Sequence, residues 1–339
     1  MALRDEIGEQ PEVIARALEH NRDTARLVAD LVGECTHAVI AARGTSDNAG
    51  RYAQYVWGTR NRLSVGLTTP SLFSIYDHPP LLTDALVVGI SQSGQSPDIV
   101  SVLEEGKTQH RPTVAFTNDP ESPLAKAADV VVNLGAGAER SVAATKTYTS
   151  TLATVALISD ALDVDGAALD GIPASVTGVL GVEDEIERAA RAFTDMEHCA
   201  VLGRGFNHAT AFEWALKLQE LTQVVAQPFS TADFLHGPVA VIEPGYPVLA
   251  VSVRGPAHAE VTGVLERAAA TGARLVTISD DPALSDLAGH HITIPGGLEE
   301  WLTPVPAIVA AQLFAFHLTL AKGLDPEQPR GLKKVTRTT

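Results

Sequence analysis

Cysteine is nearly missing: the 339 residues contain two, Cys35 and Cys199, far apart and outside any paired motif. This excludes a disulfide framework and a cysteine-based zinc site, and both thiols are expected to be buried. Aromatic residues are scarce at 5%, whereas hydrophobic residues reach 45% and Ala, Val, Leu and Gly abound. Such a mixture excludes a disordered chain and suits helices packed on buried sheets. Positive charge is also short, since 25 Lys and Arg face 41 Asp and Glu for a net charge of −16. A surface of that sign lacks the basic footprint that nucleic acids require, so no nucleic-acid partner is expected. Any anionic ligand must instead be held by donors aimed at it. The first twenty residues are acidic and amphipathic and include no apolar signal segment. The most apolar stretch, 305–321, contains Pro306, Gln312 and His317 and is shorter than the ~20 residues of a membrane span. It is expected to be a buried helix, which leaves no membrane partner and implies a cytoplasmic location.

What the sequence does have is a copy of itself. His37-Ala-Val-Ile-Ala-Ala-Arg-Gly-Thr45 matches His198-Cys-Ala-Val-Leu-Gly-Arg-Gly-Phe206, 161 residues on. Ser91-Gln92-Ser93-Gly94 matches Ser252-Val253-Arg254-Gly255, and Thr117-Asn118-Asp119 matches Ile278-Ser279-Asp280, both at the same offset of 161. One offset across three separated blocks points to duplication of one fold. In each half, short Val- and Ile-rich runs without alternation predict strands buried on both faces: 37–42, 85–91, 113–118 and 130–134, then 199–202, 248–253, 274–278 and 292–294. Helical patterns such as 48–57 and 98–109 lie between them. Strand, crossover helix, strand gives an α/β protein of two tandem doubly wound domains with parallel sheets. The predicted organisation is a helical segment at 1–30, a domain at 31–162, a Pro- and Gly-containing connection at 163–182, a second domain at 183–324 opened by a helix at 183–194, and a tail at 325–339.

Five motifs stand out. Ile90-Ser-Gln-Ser-Gly-Gln-Ser-Pro-Asp98 follows a predicted strand and opens a helix. Ser91, Ser93 and Ser96 offer hydroxyls, Gln92 an amide, Gly94 a close backbone approach, and Pro97 suits the first helical turn. With the open N–H groups of the helix start, this forms a phosphate cradle that uses no Lys or Arg. Arg43-Gly44-Thr45-Ser46 sits at another strand-to-helix turn, where Thr45 or Ser46 also suits a simple helix cap. In open α/β sheets ligands gather at the carboxyl ends of strands, so both turns are directed to one crevice. Glu213, Lys217 and Glu220 are spaced four and three apart, hence on one helical face; a solvated salt-bridge face is the plain alternative. His236, in Phe234-Leu-His-Gly-Pro238, is a side chain able to transfer protons near neutral pH. The tail Pro329-Arg-Gly-Leu-Lys-Lys-Val-Thr-Arg337 by itself reads as a disordered basic end.

Taken together, ISQSGQSPD, GAERSVAATK, LGRG…EWALKLQE, DFLHGPVA and PRGLKKVT resemble, in order, the signatures of the sugar-isomerase (SIS) family. The similarity is to the isomerase domain of glucosamine-6-phosphate synthase and to glucosamine-6-phosphate deaminase-type SIS proteins. It implies two flavodoxin-like SIS domains, a sugar-phosphate substrate, and no metal or organic cofactor. It also implies roles. Thr45, Ser46, Ser91, Gln92, Ser93 and Ser96 would bind the sugar phosphate, and Val142 would line the sugar pocket through its backbone. Glu220 would shuttle a proton between C1 and C2 with Lys217 beside it. His236 would serve ring opening, in a homodimer whose sites are completed by the neighbouring chain, and Lys334 would form a Schiff base. Position 2 is Ala where a glutaminase would need its catalytic Cys, so the isomerase half alone is expected. Gln95 and Ala144 stand where the synthase usually has Glu and often has Ser. The resemblance therefore implies an amino-sugar-phosphate isomerase and deaminase. A ketosamine-6-phosphate deglycase and a non-catalytic sugar-phosphate sensor are the alternatives.

Overall fold

A computed structural model describes residues 1–33, 35–163 and 169–334. Its ten strands form two five-stranded sheets. The first contains β1 (His37–Ala41), β2 (Ser64–Leu67), β3 (Ala85–Ile90), β4 (Thr113–Thr117) and β5 (Val130–Asn133). The second contains β6 (His198–Gly203), β7 (Val225–Ser230), β8 (Pro247–Val251), β9 (Arg274–Ser279) and β10 (His290–Thr293). The strand orders are β2-β1-β3-β4-β5 and β10-β9-β8-β6-β7, which is one order read from opposite ends. Every pairing is parallel. Both sheets are thus doubly wound and flavodoxin-like, and each reverses direction between its first and third strands in sequence.

The central strands are where the sequence placed them, because they are buried along their length: all residues of β3, β4 and β8 are shielded from solvent. The edge strands β2 and β7 were not anticipated. β2 alternates between exposed and partly covered positions, β7 mixes exposed, partly covered and buried ones, and β7 contains Pro228, which only an edge or irregular strand tolerates.

The chain divides into two compact units that are not contiguous in sequence. One holds Glu12–Glu139 and Lys146–Leu169, with Lys333 and Lys334 of the tail, and is built on β1–β5. Its core packs Val87 and Ala115 of the sheet against Ile99, Val102 and Leu103 of helix Pro97–Thr108. The other holds Met1–Pro11, Arg140–Thr145 and Asp170–Leu332, and is built on β6–β10. At its centre lies helix Pro304–Ala321, whose side chains are buried almost throughout. Among the described residues, the stretch Glu300–Ala321 alone is long and apolar enough to cross a membrane, yet 83% of it is buried inside the protein. Gln312 on this helix accepts a 2.8 Å hydrogen bond from Gln10.

The stretch expected to be a plain connection, 163–182, contains helix Gly171–Leu180. Pro173 falls in its first turn, where a missing N–H breaks no helical bond. Gly178 lets the helix approach Pro295, since a Cβ there would lie 2.5 Å from that ring. Ile172, Val176 and Val179 form its buried face.

Candidate active site

The hydroxyl loop lies at the carboxyl end of β3, beside the sheet's reversal point, as the sequence indicated. Its backbone is tied down from both sides. Gly94 N–H donates to Ser91 O (3.1 Å), Asn118 N–H to Gln92 O (3.0 Å) and Leu124 N–H to Gly94 O (3.1 Å). Gly94 has φ +60°, and a Cβ there would sit 2.1 Å from Ser122 Oγ, so only glycine fits. Ser96 is the N-cap of helix Pro97–Thr108, but its hydroxyl makes no capping bond. Ser93 Oγ accepts from Gln95 N–H at 3.3 Å. The side chains of Ser91, Gln92 and Ser96 have no protein partner among the described residues and remain available to a ligand.

Thr45 and Ser46 open helix Thr45–Arg60 in its first turn; neither is the cap, which is Gly44 at φ +53°. A side-chain cap is replaced here by a glycine bend. Arg43 of the same turn donates from Nε to Asp98 Oδ2 at 2.9 Å, and Asp98 is buried. This bond joins the turn after β1 to the helix after β3, holding both loops in register.

The same unit contains Lys334. Its Nζ donates to Glu139 Oε2 at 2.7 Å. Glu139 is buried and also accepts from the backbone N–H (3.0 Å) and hydroxyl (2.9 Å) of Thr147. Sequence reasoning missed Glu139. Its one signal was its position 161 residues before Glu300, the repeat offset. The tail beyond Lys334, including Val335 and Arg337, lies outside the described residues.

The second unit presents Glu213, Lys217 and Glu220 on helix His208–Thr222. This is no solvated face: the side chains of Glu213 and Lys217 are 0% and 1% exposed, whereas that of Glu220 is 22% exposed. Lys217 Nζ lies 3.4 Å from Glu213 Oε1 and donates to Glu220 Oε2. Burial by itself would push the lysine pKa down, but the two carboxylates outweigh it and hold the ammonium above its ordinary range. Lys217 is therefore a fixed positive charge, unsuited to nucleophilic attack, that orients Glu220. The carboxylate of Glu220 borders a pocket of about 520 Å³, together with Leu216, Gln219, Val224, Arg330 and Leu332.

His236 and Val142 belong to this unit as well. His236 ends the short helix Thr231–Leu235, and its ring is exposed without a protein partner among the described residues. Val142 is half-buried in a segment anchored by Glu6, whose carboxylate accepts from Arg140 N–H (2.5 Å) and Ser141 N–H (3.3 Å). Among the described residues, no group of three or more His, Cys, Asp or Glu is placed to hold a metal ion.

The SIS-domain family model matches residues 32–159 and 192–322. Glutamine–fructose-6-phosphate aminotransferase [isomerizing] of Pyrococcus horikoshii is 32% identical over 338 residues, which cover 97% of this chain and 56% of that protein. The Streptomyces coelicolor protein of the same name is 32% identical over 355 residues, covering 97% and 57%. The chain thus spans about half the length of these relatives. Among solved structures, the C-terminal domain of glucosamine-fructose-6-phosphate aminotransferase from Francisella tularensis superposes with a TM-score of 0.87 at 27% identity, covering 97% of this chain and 98% of that one. Glucosamine-6-phosphate deaminase from Thermotoga maritima shares the fold, with a TM-score of 0.78 at 17% identity over the whole of both chains. The duplicated sheets, the hydroxyl loop and these similarities together make the chain a member of the SIS-domain family.

Proposed function

We propose that this protein is an aldose–ketose isomerase that makes or breaks a carbon–nitrogen bond on an amino-sugar phosphate. The favoured reaction is glucosamine 6-phosphate plus water to fructose 6-phosphate plus ammonia, or its reverse. One observation carries the reading: a partly exposed carboxylate, Glu220, borders a pocket and is held by an ammonium buried at 1% exposure. Moving a proton between adjacent carbons requires one positioned base, and a carboxylate shielded from water is suited to it. Lys217 keeps Glu220 oriented.

The other roles follow from the resemblance. The open hydroxyls of Ser91 and Ser96, with Ser93, Gln92, Thr45 and Ser46, would take the phosphate at the start of helix Pro97–Thr108. Lys334 would approach the open-chain carbonyl after leaving Glu139. His236 would assist ring opening, and the backbone at Val142 would border the sugar. The exposed His236 ring, flanked by exposed Leu235 and Val241, suits a role completed across a homodimer with two-fold symmetry. A cytoplasmic setting accords with the free thiols Cys35 and Cys199.

The test is release of ammonia from a panel of amino-sugar phosphates by the intact chain and by Glu220→Gln. Release from glucosamine 6-phosphate that disappears in Glu220→Gln is the expected outcome. Failure to release ammonia from any member of the panel overturns the proposal.

A further inference from the structure

The carboxylate of Glu139 holds the tail lysine, Lys334, across 195 residues of chain. The side chain of Glu139 is 0% exposed, that of Lys334 23%. Lys334 Nζ and the Thr147 hydroxyl both donate to Oε2, at 2.7 and 2.9 Å, while the Thr147 N–H donates to Oε1 at 3.0 Å. Thr147 lies in the first turn of helix Lys146–Ala161, so its N–H is one that the helix leaves open.

These donors differ in what they can do next. An N–H can only donate, whereas a hydroxyl can also turn and accept. Were Oε2 to carry a proton, the Thr147 hydroxyl would accept from it, and the N–H would still donate to Oε1. The cradle therefore holds Glu139 as a carboxylate or as a carboxylic acid through the same two contacts. Lys334 has no acceptor until it loses a proton. Its departure as an ammonium would withdraw a cation from a fully shielded carboxylate, which is the costly way to part a buried pair. If the proton stays on Oε2, both groups part neutral.

From this we infer that Glu139 is the proton acceptor for Lys334, taking the ammonium proton and releasing the lysine as a free amine. Glu139 acts through Lys334 and does not need to touch the sugar. The inference rests on the Schiff-base role given to Lys334 in the proposed function. The cycle balances with water alone. Glu139 gains one proton from Lys334. The amine adds to the open-chain carbonyl carbon, and a proton passes from nitrogen to the carbonyl oxygen. The resulting hydroxyl leaves as water with a proton from solvent, and the nitrogen lone pair closes the C=N bond of an iminium ion. Hydrolysis reverses these steps, and the returning amine takes its proton back from Glu139.

The test measures, across pH, how fast cyanoborohydride traps fructose 6-phosphate on Lys334 of the full chain, read by peptide mass. Glu139→Gln keeps the shape and an acceptor for Thr147 but takes no proton. It is expected to slow trapping ~10²-fold or more near pH 7, with the deficit closing toward pH ~10.4, the ordinary lysine value. Calorimetric binding of fructose 6-phosphate should be nearly unchanged, and Glu139→Asp should recover part of the rate. Arg140, Lys146 and Lys333, the charged neighbours in sequence, are common to every chain compared. Trapping by Glu139→Gln as fast as wild type near pH 7, or a deficit that is the same at every pH, overturns the inference. Should Glu139→Gln not fold, the infrared difference spectrum of the Glu220→Gln chain decides, since its other proton carrier is gone. Adduct formation should then add a protonated-carboxyl band, and its absence overturns the inference. An adduct with the expected pH profile, in a chain that releases ammonia from no amino-sugar phosphate, fails the isomerase reading and leaves this inference standing. Ammonia release that needs Glu220, with no adduct on Lys334 at any pH, does the reverse.

Discussion

Helices Thr45–Arg60 and His208–Thr222 each follow the first strand of a repeat, yet they bury opposite kinds of side chain. Tyr52 and Val56 are wholly buried in the first; 161 residues later the same places hold Glu213 and Lys217, buried to the same degree. Uncharged side chains at these positions stabilise without desolvating a charge, whereas a buried ion pair recovers little more than its desolvation cost. Stability therefore does not account for the charged version, and orientation of Glu220 does. The loops after the third strands diverge in the other direction. In the first repeat the hydroxyls of Ser91 and Ser96 are left open. In the second, Ser252 Oγ lies 3.0 Å from His258 Nδ1, and His258 Nε2 lies 3.0 Å from Asp281 Oδ2. Arg254, at the place of Ser93, donates its backbone N–H to Asp280 and its guanidinium to Asp281. The duplicated scaffold keeps one shared device, an arginine after the first strand bound to a carboxylate, as Arg43 to Asp98 and Arg204 to Glu260. Available polar groups have been divided: open hydroxyls in one repeat, an oriented carboxylate in the other.

The sharpest way to break this comparison is at Glu220 and its counterpart, Thr59. Glu220→Gln is expected to cut kcat by ~10²–10⁴ with near-normal substrate binding, as removal of a general base does. Thr59→Val should leave kcat unchanged; steady-state kinetics with calorimetric binding reads both. Next is Lys217→Met, which strips the ammonium from Glu213 and should cost about 3–5 kcal/mol in urea unfolding. Adding Glu213→Leu, which returns the helix to an apolar interior like that of the first repeat, should recover most of that loss without restoring turnover. Retention of full stability by Lys217→Met alone would contradict the ion-pair account.

A smaller effect is expected at the hydroxyl loop. Ser93→Ala should raise KM about tenfold, since a hydrogen bond to a charged acceptor is worth ~1.5–3 kcal/mol. Arg254→Ala, at the duplicate position, should leave KM where it was. The smallest effect concerns Glu300, the counterpart of Glu139. Glu139 has Thr147 and Lys334 as partners, whereas burial raises the Glu300 carboxyl pKa. A raised carboxyl pKa means the ionised form is the penalised one. Glu300→Gln should therefore raise the Tm at pH 8 and make no difference below about pH 4, near the unfolded Glu value of ~4.3. An increase at acid pH, or none at pH 8, would show that Glu300 is stabilised as a carboxylate.

The parts of the fold legible in the sequence were those where one local rule ruled alone. β3, β4 and β8 are uninterrupted apolar runs, so burial on both faces announced them. β2 and β7 escaped because edge strands are short and half-exposed, and Gly66 and Pro228 read as breaks. Helix Gly171–Leu180 was hidden by Pro173 and Gly178, whose tolerance depends on helix position and on contact with Pro295. At the candidate site, the hydroxyl loop and the Glu213–Lys217–Glu220 spacing were visible because each lies within a few residues of chain. Burial of Lys217 was not, since it depends on packing from distant segments. Glu139 was invisible for the same reason: its partner Lys334 is 195 residues away.

The N-terminal helix Ala2–Gly8 has a consequence for how the chain is made. Leu3 N–H donates to Glu327 Oε1 at 3.0 Å, and 324 residues separate the two. At ribosomal rates of ~5–20 residues per second, roughly 15–65 s pass between synthesis of one partner and of the other. Throughout that interval the apolar face of this helix, with Leu3 and Ile7, has no finished surface to rest on. The β1–β5 sheet can close long before then, so during translation a folded half and an unsheltered helix coexist in the same chain.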